Sequence, residues 1–178
     1  DGAGKNFRKY SGKSLPPQVL EFDGQGDAGQ WLKVGQVYTG VLTFTDSMGH
    51  VHTALGKPFS IAGLSVPSSD GYVMYLAAKP MFDTAKRRIT PDGTVLLEEA
   101  AAIIQRFHAH DLVQLGAYLA WTDAVKVKTA AESAAGELAK RLSVAPSSIK
   151  STGHANVSDL EQRIELTIKT LSHEQPAQ

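Results

Sequence analysis

Several features that would define a function are missing from this chain of 178 residues. It contains no cysteine, which excludes disulfides, thiolate nucleophiles and metal sites built on cysteine. It contains no apolar run of the length needed to span a bilayer. Its 18 basic residues balance 18 acidic ones. We therefore expect no nucleic-acid partner, because phosphate binding needs a basic surface.

Catalytic motifs are missing as well. No serine lies in a Gly-x-Ser-x-Gly turn, so we predict that the protein is not an enzyme and uses no cofactor. His50 and His52 are two residues apart, and His108 and His110 repeat that spacing. The four imidazoles could hold zinc or copper only if the two pairs met. Nothing in the sequence brings them together, so we interpret them as exposed histidines and predict no metal.

The first 78 residues divide into an arm and a small β unit. Residues 1–35 contain little that could form a core, and we interpret them as an extended N-terminal arm in which Trp31 is available to an interface. Residues 36–78 are rich in Val, Thr, Tyr and Phe. Strand candidates at 37–45 and 50–55 flank a turn, which predicts a small β unit.

The pattern over the rest of the chain predicts strand, helix, strand, helix, strand and strand. Thr90 can cap the first helix, and Pro91 suits its first position because a proline nitrogen has no hydrogen to leave unpaired. The last strand alternates apolar and polar residues over 163–169. Two helical stripes of apolar residues complete the pattern: Leu96, Leu97, Ala100, Ile103, Ile104 and Phe107, then Ala131, Ala134, Ala135, Leu138 and Leu142.

Five short motifs follow one another in this region: Phe82, Ile89–Gly93, Gly116, Gly153–Ala155 and Glu161–Glu165. Their order and spacing resemble the OmpA/MotB C-terminal domain, the peptidoglycan-binding module of Gram-negative envelopes. The resemblance implies an α+β fold, in which the small β unit precedes an OmpA-like βαβαββ sandwich at 79–171. That sandwich has a mixed sheet with helices on one face. A flexible tail at 172–178 would follow.

The chain departs from this family at the positions that bind the ligand. The resemblance implies that an Asp and an Arg hold the charged groups of a peptidoglycan stem peptide, and the ungapped register puts Leu119 and Ala134 there. Aliphatic side chains cannot pair charges. Asp123 lies four residues further on and could supply the acid in a shifted loop, but no arginine occupies the helix. We therefore predict a degenerate domain for which peptidoglycan binding is not expected.

Candidate interface residues lie near this site and in a basic cluster. Trp121 falls in the loop where the family's ligand site opens, and it could fill the vacant groove, anchor a partner or stay exposed. Asp123 and Trp31 are further interface candidates. Lys86, Arg87 and Arg88 are typical of a solvated loop, with contact to an acidic partner or lipid headgroups as the alternative.

These observations favour a non-enzymatic structural subunit of a Gram-negative envelope assembly, periplasmic and associated with the outer membrane. The OmpA-like resemblance and a loose similarity of residues 35–46 to β-domains of type IV secretion core proteins favour the outer-membrane core complex of such a system, where DotK-like lipoproteins occur. Its partners would be other subunits of the complex. Because the chain begins at Asp1 without Met, we interpret it as a processed protein, with an upstream lipid anchor left open. The alternative is a true peptidoglycan binder, either a Pal-like lipoprotein or a MotY-like flagellar ring component.

Overall fold

A computed structural model describes residues 4–13, 17–83 and 88–170 of the chain. Two compact units, residues 1–61 and 62–178, make up the protein and are described separately. Within the described residues, no helix is both long and apolar enough to cross a membrane.

The first unit is built on two short antiparallel ladders. Strands β1 (Val37–Tyr38) and β4 (Phe59–Ser60) form one of them, and β2 (Val41–Thr45) with β3 (Val51–Leu55) forms a hairpin. The strong β propensity of the valines and threonines accounts for these strands. The predicted β unit is therefore present over this part of its range.

Residues that the sequence assigns to an extended arm pack against the β unit. The Phe7 ring lies 5.4 Å from the Tyr38 ring, in an edge-on arrangement. Leu32 and Val34 are buried, and Trp31 is half-buried in a bridge with Gln25. The prediction of an arm over the whole of 1–35 is therefore wrong for these residues. Their few apolar side chains pack together within the first unit.

The second unit contains a five-stranded sheet in the order β5-β6-β9-β7-β8. Strands β7 and β8 are parallel, and the other neighbours are antiparallel. This mixed sheet with two long helices confirms the predicted α+β βαβαββ fold, with β5 added at one edge. The elements are β5 (Gly63–Ser68), β6 (Gly71–Ala77), α1 (Ala78–Met81), α2 (Pro91–Phe107), β7 (Leu112–Tyr118), α3 (Ala124–Leu142), a 3₁₀ turn (Pro146–Ser148), β8 (Lys150–His154) and β9 (Arg163–Lys169).

Two predicted boundaries differ in the structure. Strands β5 and β6 belong to this sheet, although the sequence places them in the small β unit at 36–78. The strand predicted to open the OmpA-like domain at 79 would contain Phe82, but Phe82 follows α1 and makes only an isolated bridge to Ile89. Both errors have one cause: β6 pairs with β9 about ninety residues later, and local patterns do not report such a distant partner.

The start of α2 follows the predicted chemistry. The Thr90 side chain accepts a hydrogen bond of 2.9 Å from the Gly93 amide, and Pro91 is the first helical residue. Position 93 needs a glycine, because a Cβ there would lie only 2.5 Å from the carbonyl oxygen of Met81 and would clash with it. The glycine therefore lets α2 pack directly on α1.

The core lies between one face of the sheet and the helices. Alternate residues of β9, namely Ile164, Leu166 and Ile168, are at most 1% exposed. The helices contribute apolar residues that belong to the same cluster. Ile103 and Phe107 were predicted within the buried stripe of α2, but they are 40% and 65% exposed. Both side chains instead line an open pocket with Ser65 and Tyr72 of the sheet.

Candidate functional site

The two positions that the resemblance assigns to ligand charges lie in the core. Leu119 directly follows β7, and its amide donates to the His154 carbonyl at 3.0 Å. Leu119 is 1% exposed, and Ala134, in the middle of α3, is fully buried. Both are members of the apolar core cluster. Neither position itself therefore offers a charge or a polar side chain to a ligand.

Asp123, the alternative acid, caps the N-terminus of α3. Its Oδ1 accepts hydrogen bonds from the amides of Val125 at 3.1 Å and Lys126 at 3.2 Å. The Lys126 side chain pairs with its Oδ2, and this hydrogen bond is the main reason why the pKa of Asp123 is lowered. The structure accounts for this carboxylate by helix capping.

A groove of about 290 Å³ opens beside Leu119. Trp121 is half-buried and forms part of its wall, with its ring 5.9 Å from the Phe82 ring and nearly perpendicular to it. The predicted interface residue therefore borders a groove that it does not fill. The lining residues are Ala78, Lys79, Phe82, Leu119, Trp121, Asp159 and Gln162.

The polar side of this groove is a hydrogen-bonded chain. Lys79 Nζ donates to Asp159 Oδ2 at 3.2 Å, and Gln162 Nε2 donates to Asp159 Oδ1 at 2.8 Å. Gln162 Oε1 accepts from the Ala120 amide at 3.3 Å. The groove thus carries one ammonium and one carboxylate, both exposed. Sequence reasoning missed these residues because 80 positions separate Lys79 from Asp159.

The sheet face opposite the core carries a stack of side chains that the sequence analysis also missed. Tyr118 lies between its cross-strand neighbours Arg163 and His154. The His154 ring is parallel to it at 4.3 Å, and the Arg163 guanidinium pairs with Glu165 at 3.1 Å. Burial, then the charge of Glu165, raises the pKa of Tyr118, against an opposing effect of Arg163. The alternation of apolar and polar residues in β7 and β9 predicts which face of the sheet each side chain occupies, but it does not predict that these side chains stack.

The two histidine pairs lie in different units of the protein. His50 Nδ1 and His52 Nε2 both approach Asp46 Oδ2, at 3.2 and 3.0 Å, in the exposed hairpin turn. His108 Nδ1 lies 2.9 Å from Asp111 Oδ2 in the second unit. Across residues 4–13, 17–83 and 88–170, no group of three or more potential ligands is arranged to hold a metal ion.

The structure describes Arg88 of the predicted basic cluster. Lys86 and Arg87 lie outside the described residues. Arg88 is exposed, and its carbonyl accepts a hydrogen bond of 2.9 Å from the Asp83 amide. The proposed contact of this cluster with an acidic partner therefore stays a prediction.

No protein-family profile matches the chain, and no curated protein matches its sequence. Its fold is similar to the solved cell wall anchor of the T6SS from Pseudomonas aeruginosa, with a TM-score of 0.52 and 14% identity over 62% of this chain and 89% of that one. The periplasmic domain of Helicobacter pylori MotB matches with a TM-score of 0.49 and 17% identity, over 74% and 90% of the two chains. The OmpA-like domain of FopA1 from Francisella tularensis matches with a TM-score of 0.43 and 15% identity, over 58% and 77%. The first of these shows a likeness of fold between the two chains.

Proposed function

We propose that this protein is a non-enzymatic structural subunit of a Gram-negative envelope assembly in the periplasm. Its OmpA-like domain docks on protein instead of the cell wall. The main observation in support of this proposal is the burial of Leu119 and Ala134. These are the two positions at which a peptidoglycan-binding member of the family would carry a carboxylate and a guanidinium. A zwitterionic stem peptide needs both charges, and an apolar core offers neither.

The assembly that we favour is the outer-membrane core complex of a type IV secretion or conjugation system, next to the outer membrane. This assignment is supported by the similarity of residues 35–46 to β-domains of such systems and by the use of OmpA-like domains in their lipoproteins. In the source bacterium, a tagged chain should co-purify with the detergent-solubilised core complex. Recovery of the chain free of all core subunits would argue against this assignment.

A true peptidoglycan binder is the second candidate, and the groove beside Leu119 gives it a specific basis. Lys79 and Asp159 supply one charge of each sign at its rim, where they could pair with a zwitterion in place of the lost residues. Both groups are exposed, so each pair would contribute only about 1 kcal/mol or less.

Co-sedimentation with purified sacculi distinguishes the two candidates. The structural subunit should remain in the supernatant at the level of an unrelated protein. Saturable binding that a stem-peptide fragment competes away, and that Lys79→Ala removes, would establish the second candidate instead. Lys128→Ala is the matched control, because Lys128 also forms an exposed ion pair, with Glu132 at 3.9 Å, and does not line the groove.

A further inference from the structure

The β2–β3 hairpin has an unpaired strand edge. All ten of its strand residues are exposed, and in the described part of the chain the two strands form a sheet of their own. An isolated two-stranded hairpin is marginally stable in water, and an open edge is a template for pairing with another chain. We propose that β2 pairs antiparallel with β2 of a second copy of this protein, so that two hairpins form one four-stranded sheet.

The hydrogen bonds of the hairpin determine which backbone groups face outward. Just beyond the strands, the Asp46 amide donates to the His50 carbonyl at 2.9 Å. Hydrogen-bonded and non-hydrogen-bonded pairs alternate along an antiparallel ladder. The even-numbered residues Leu42 and Phe44 therefore use their backbone groups to bind β3.

The odd-numbered residues of β2 provide the free edge. The outward N–H and C=O groups of Val41, Thr43 and Thr45 make no hydrogen bond to any other described residue. A two-fold axis through Thr43 would pair each Thr43 with the Thr43 of the second copy. It would also place Val41 opposite Thr45, and both pairs would exchange hydrogen bonds.

The side chains of β2 match this self-pairing. In the same register Leu42 lies opposite Phe44 of the second copy, at a non-hydrogen-bonded position where side chains approach closely. These residues are 45% and 47% exposed, so the pairing covers apolar surface. Strand β2 contains no ionisable residue, and hence no repulsion opposes the contact.

Strand β3 is less suited to the same role. A two-fold axis through Thr53 would set Val51 opposite Leu55, but at the closely spaced positions it would set His52 opposite Ala54, a pair with little apolar contact. His52 is already engaged, since its ring stacks on Phe44 at 4.9 Å and its Nε2 bonds Asp46. The β2 edge is therefore the one that we assign to the dimer.

The small size of the contact determines how the dimer behaves. Pairing of five-residue strands covers much less than the roughly 800 Å² per partner of a standard interface. The dimer should therefore be weak and concentration-dependent. Because a two-fold contact uses both β2 edges, pairing through β2 stops at two copies.

Sedimentation velocity of the full chain from micromolar to millimolar concentration tests this proposal. The wild-type protein should pass from monomer to dimer over this range. Thr43→Pro removes one outward N–H without removing a bond to β3, and proline is tolerated at strand edges. It should keep the protein monomeric throughout. Thr53→Pro, the equivalent change on the edge of β3, is the matched control and should dimerise like the wild type.

A charge exchange gives a second test that does not depend on proline. Thr43→Lys and Thr43→Glu should each be monomeric, because identical charges would face each other across the two-fold axis. An equimolar mixture of the two should dimerise. A wild-type protein that stays monomeric, an equal loss of dimer in both proline variants, or a mixture that fails to associate would overturn the proposal.

Discussion

The guanidinium of Arg163 lies over the ring of Tyr118, with its central carbon 4.0 Å from the ring centre. The same guanidinium lies 5.8 Å from the centre of the Tyr75 ring. Tyr118 and Tyr75 both have a raised pKa because of burial and then the charge of Glu165, while Arg163 acts in the opposite direction on each. Arg163 therefore offsets part of the rise in the pKa of both phenols.

Replacement of Arg163 by Met should raise the pKa of Tyr118 and Tyr75 further. Absorbance of tyrosinate followed against pH would measure this, with Tyr118→Phe used to assign the transition. Because both folded-state pKa values lie above the ordinary 10.0, their contribution to stability is complete below pH 10 and is lost as pH rises through the folded values. An unchanged titration in Arg163→Met would contradict the electrostatic role.

Gly116 allows the Tyr118 ring to lie back along its own strand. A Cβ at Gly116 would stand 3.0 Å from Cε2 of that ring. We expect Gly116→Ala to lower the free energy of unfolding by about 1 kcal/mol, because the tightly packed ring must shift within its stack between Arg163 and His154. Chemical denaturation would measure the loss. In Tyr118→Ala the ring is gone, so Gly116→Ala should then cost much less, and equal costs in the two backgrounds would refute the steric explanation.

Gly153 and Gly136 differ in the space available for a side chain, so the same substitution can be compared at both. A Cβ at Gly153 would lie 2.8 Å from the backbone nitrogen of Lys128 in α3, whereas a Cβ at Gly136 would meet nothing within 4 Å. Gly153→Ala should therefore destabilise the protein, since backbone cannot move aside as a side chain can. Gly136→Ala should raise the free energy of unfolding by up to about 1 kcal/mol, the usual gain within a helix. Opposite shifts in melting temperature are the expected result.

Charges introduced at the two degenerate positions test their placement. Leu119→Asp and Ala134→Arg should each cost about 3–5 kcal/mol, because each buries an unpaired charge. Val125→Arg is the control on the same helix; it is 74% exposed and should change stability by less than about 0.5 kcal/mol.

The double variant then reports whether the two positions are neighbours. If they face each other, Leu119→Asp with Ala134→Arg should be less destabilised than the sum of the single changes. Strictly additive changes in the free energy of unfolding would show that positions 119 and 134 are not neighbours. The alignment that assigns the lost ligand residues to these two positions would then be wrong.

Local signals in the sequence were sufficient for the long elements of the second unit. Thr90 and Pro91 determine the start of α2 through capping and ring geometry, and both effects act within four residues. The alternation of β9 follows from the pleat of any strand with one buried face. Helix α3 was predicted from about residue 130, but it begins at Ala124 because Asp123 caps it there.

Contacts between distant residues could not be derived in this way. The groove beside Leu119 needs α1 and the loop before β9 to meet, and no periodicity reports their distance. Phe107 is 65% exposed, although its helical spacing would suit the core equally well. The packing of Phe7 on Tyr38 likewise joins residues without a common pattern.

The position of β9 in the sheet has a consequence for biosynthesis. This last strand lies between β6 and β7, so the earlier strands form two separate pairs until it is added. While the ribosome still holds residues 163–169, the sheet of the second unit cannot close, and its apolar face stays open to solvent and chaperones. Completion of this sheet must therefore wait until β9 is free to pair with both neighbours.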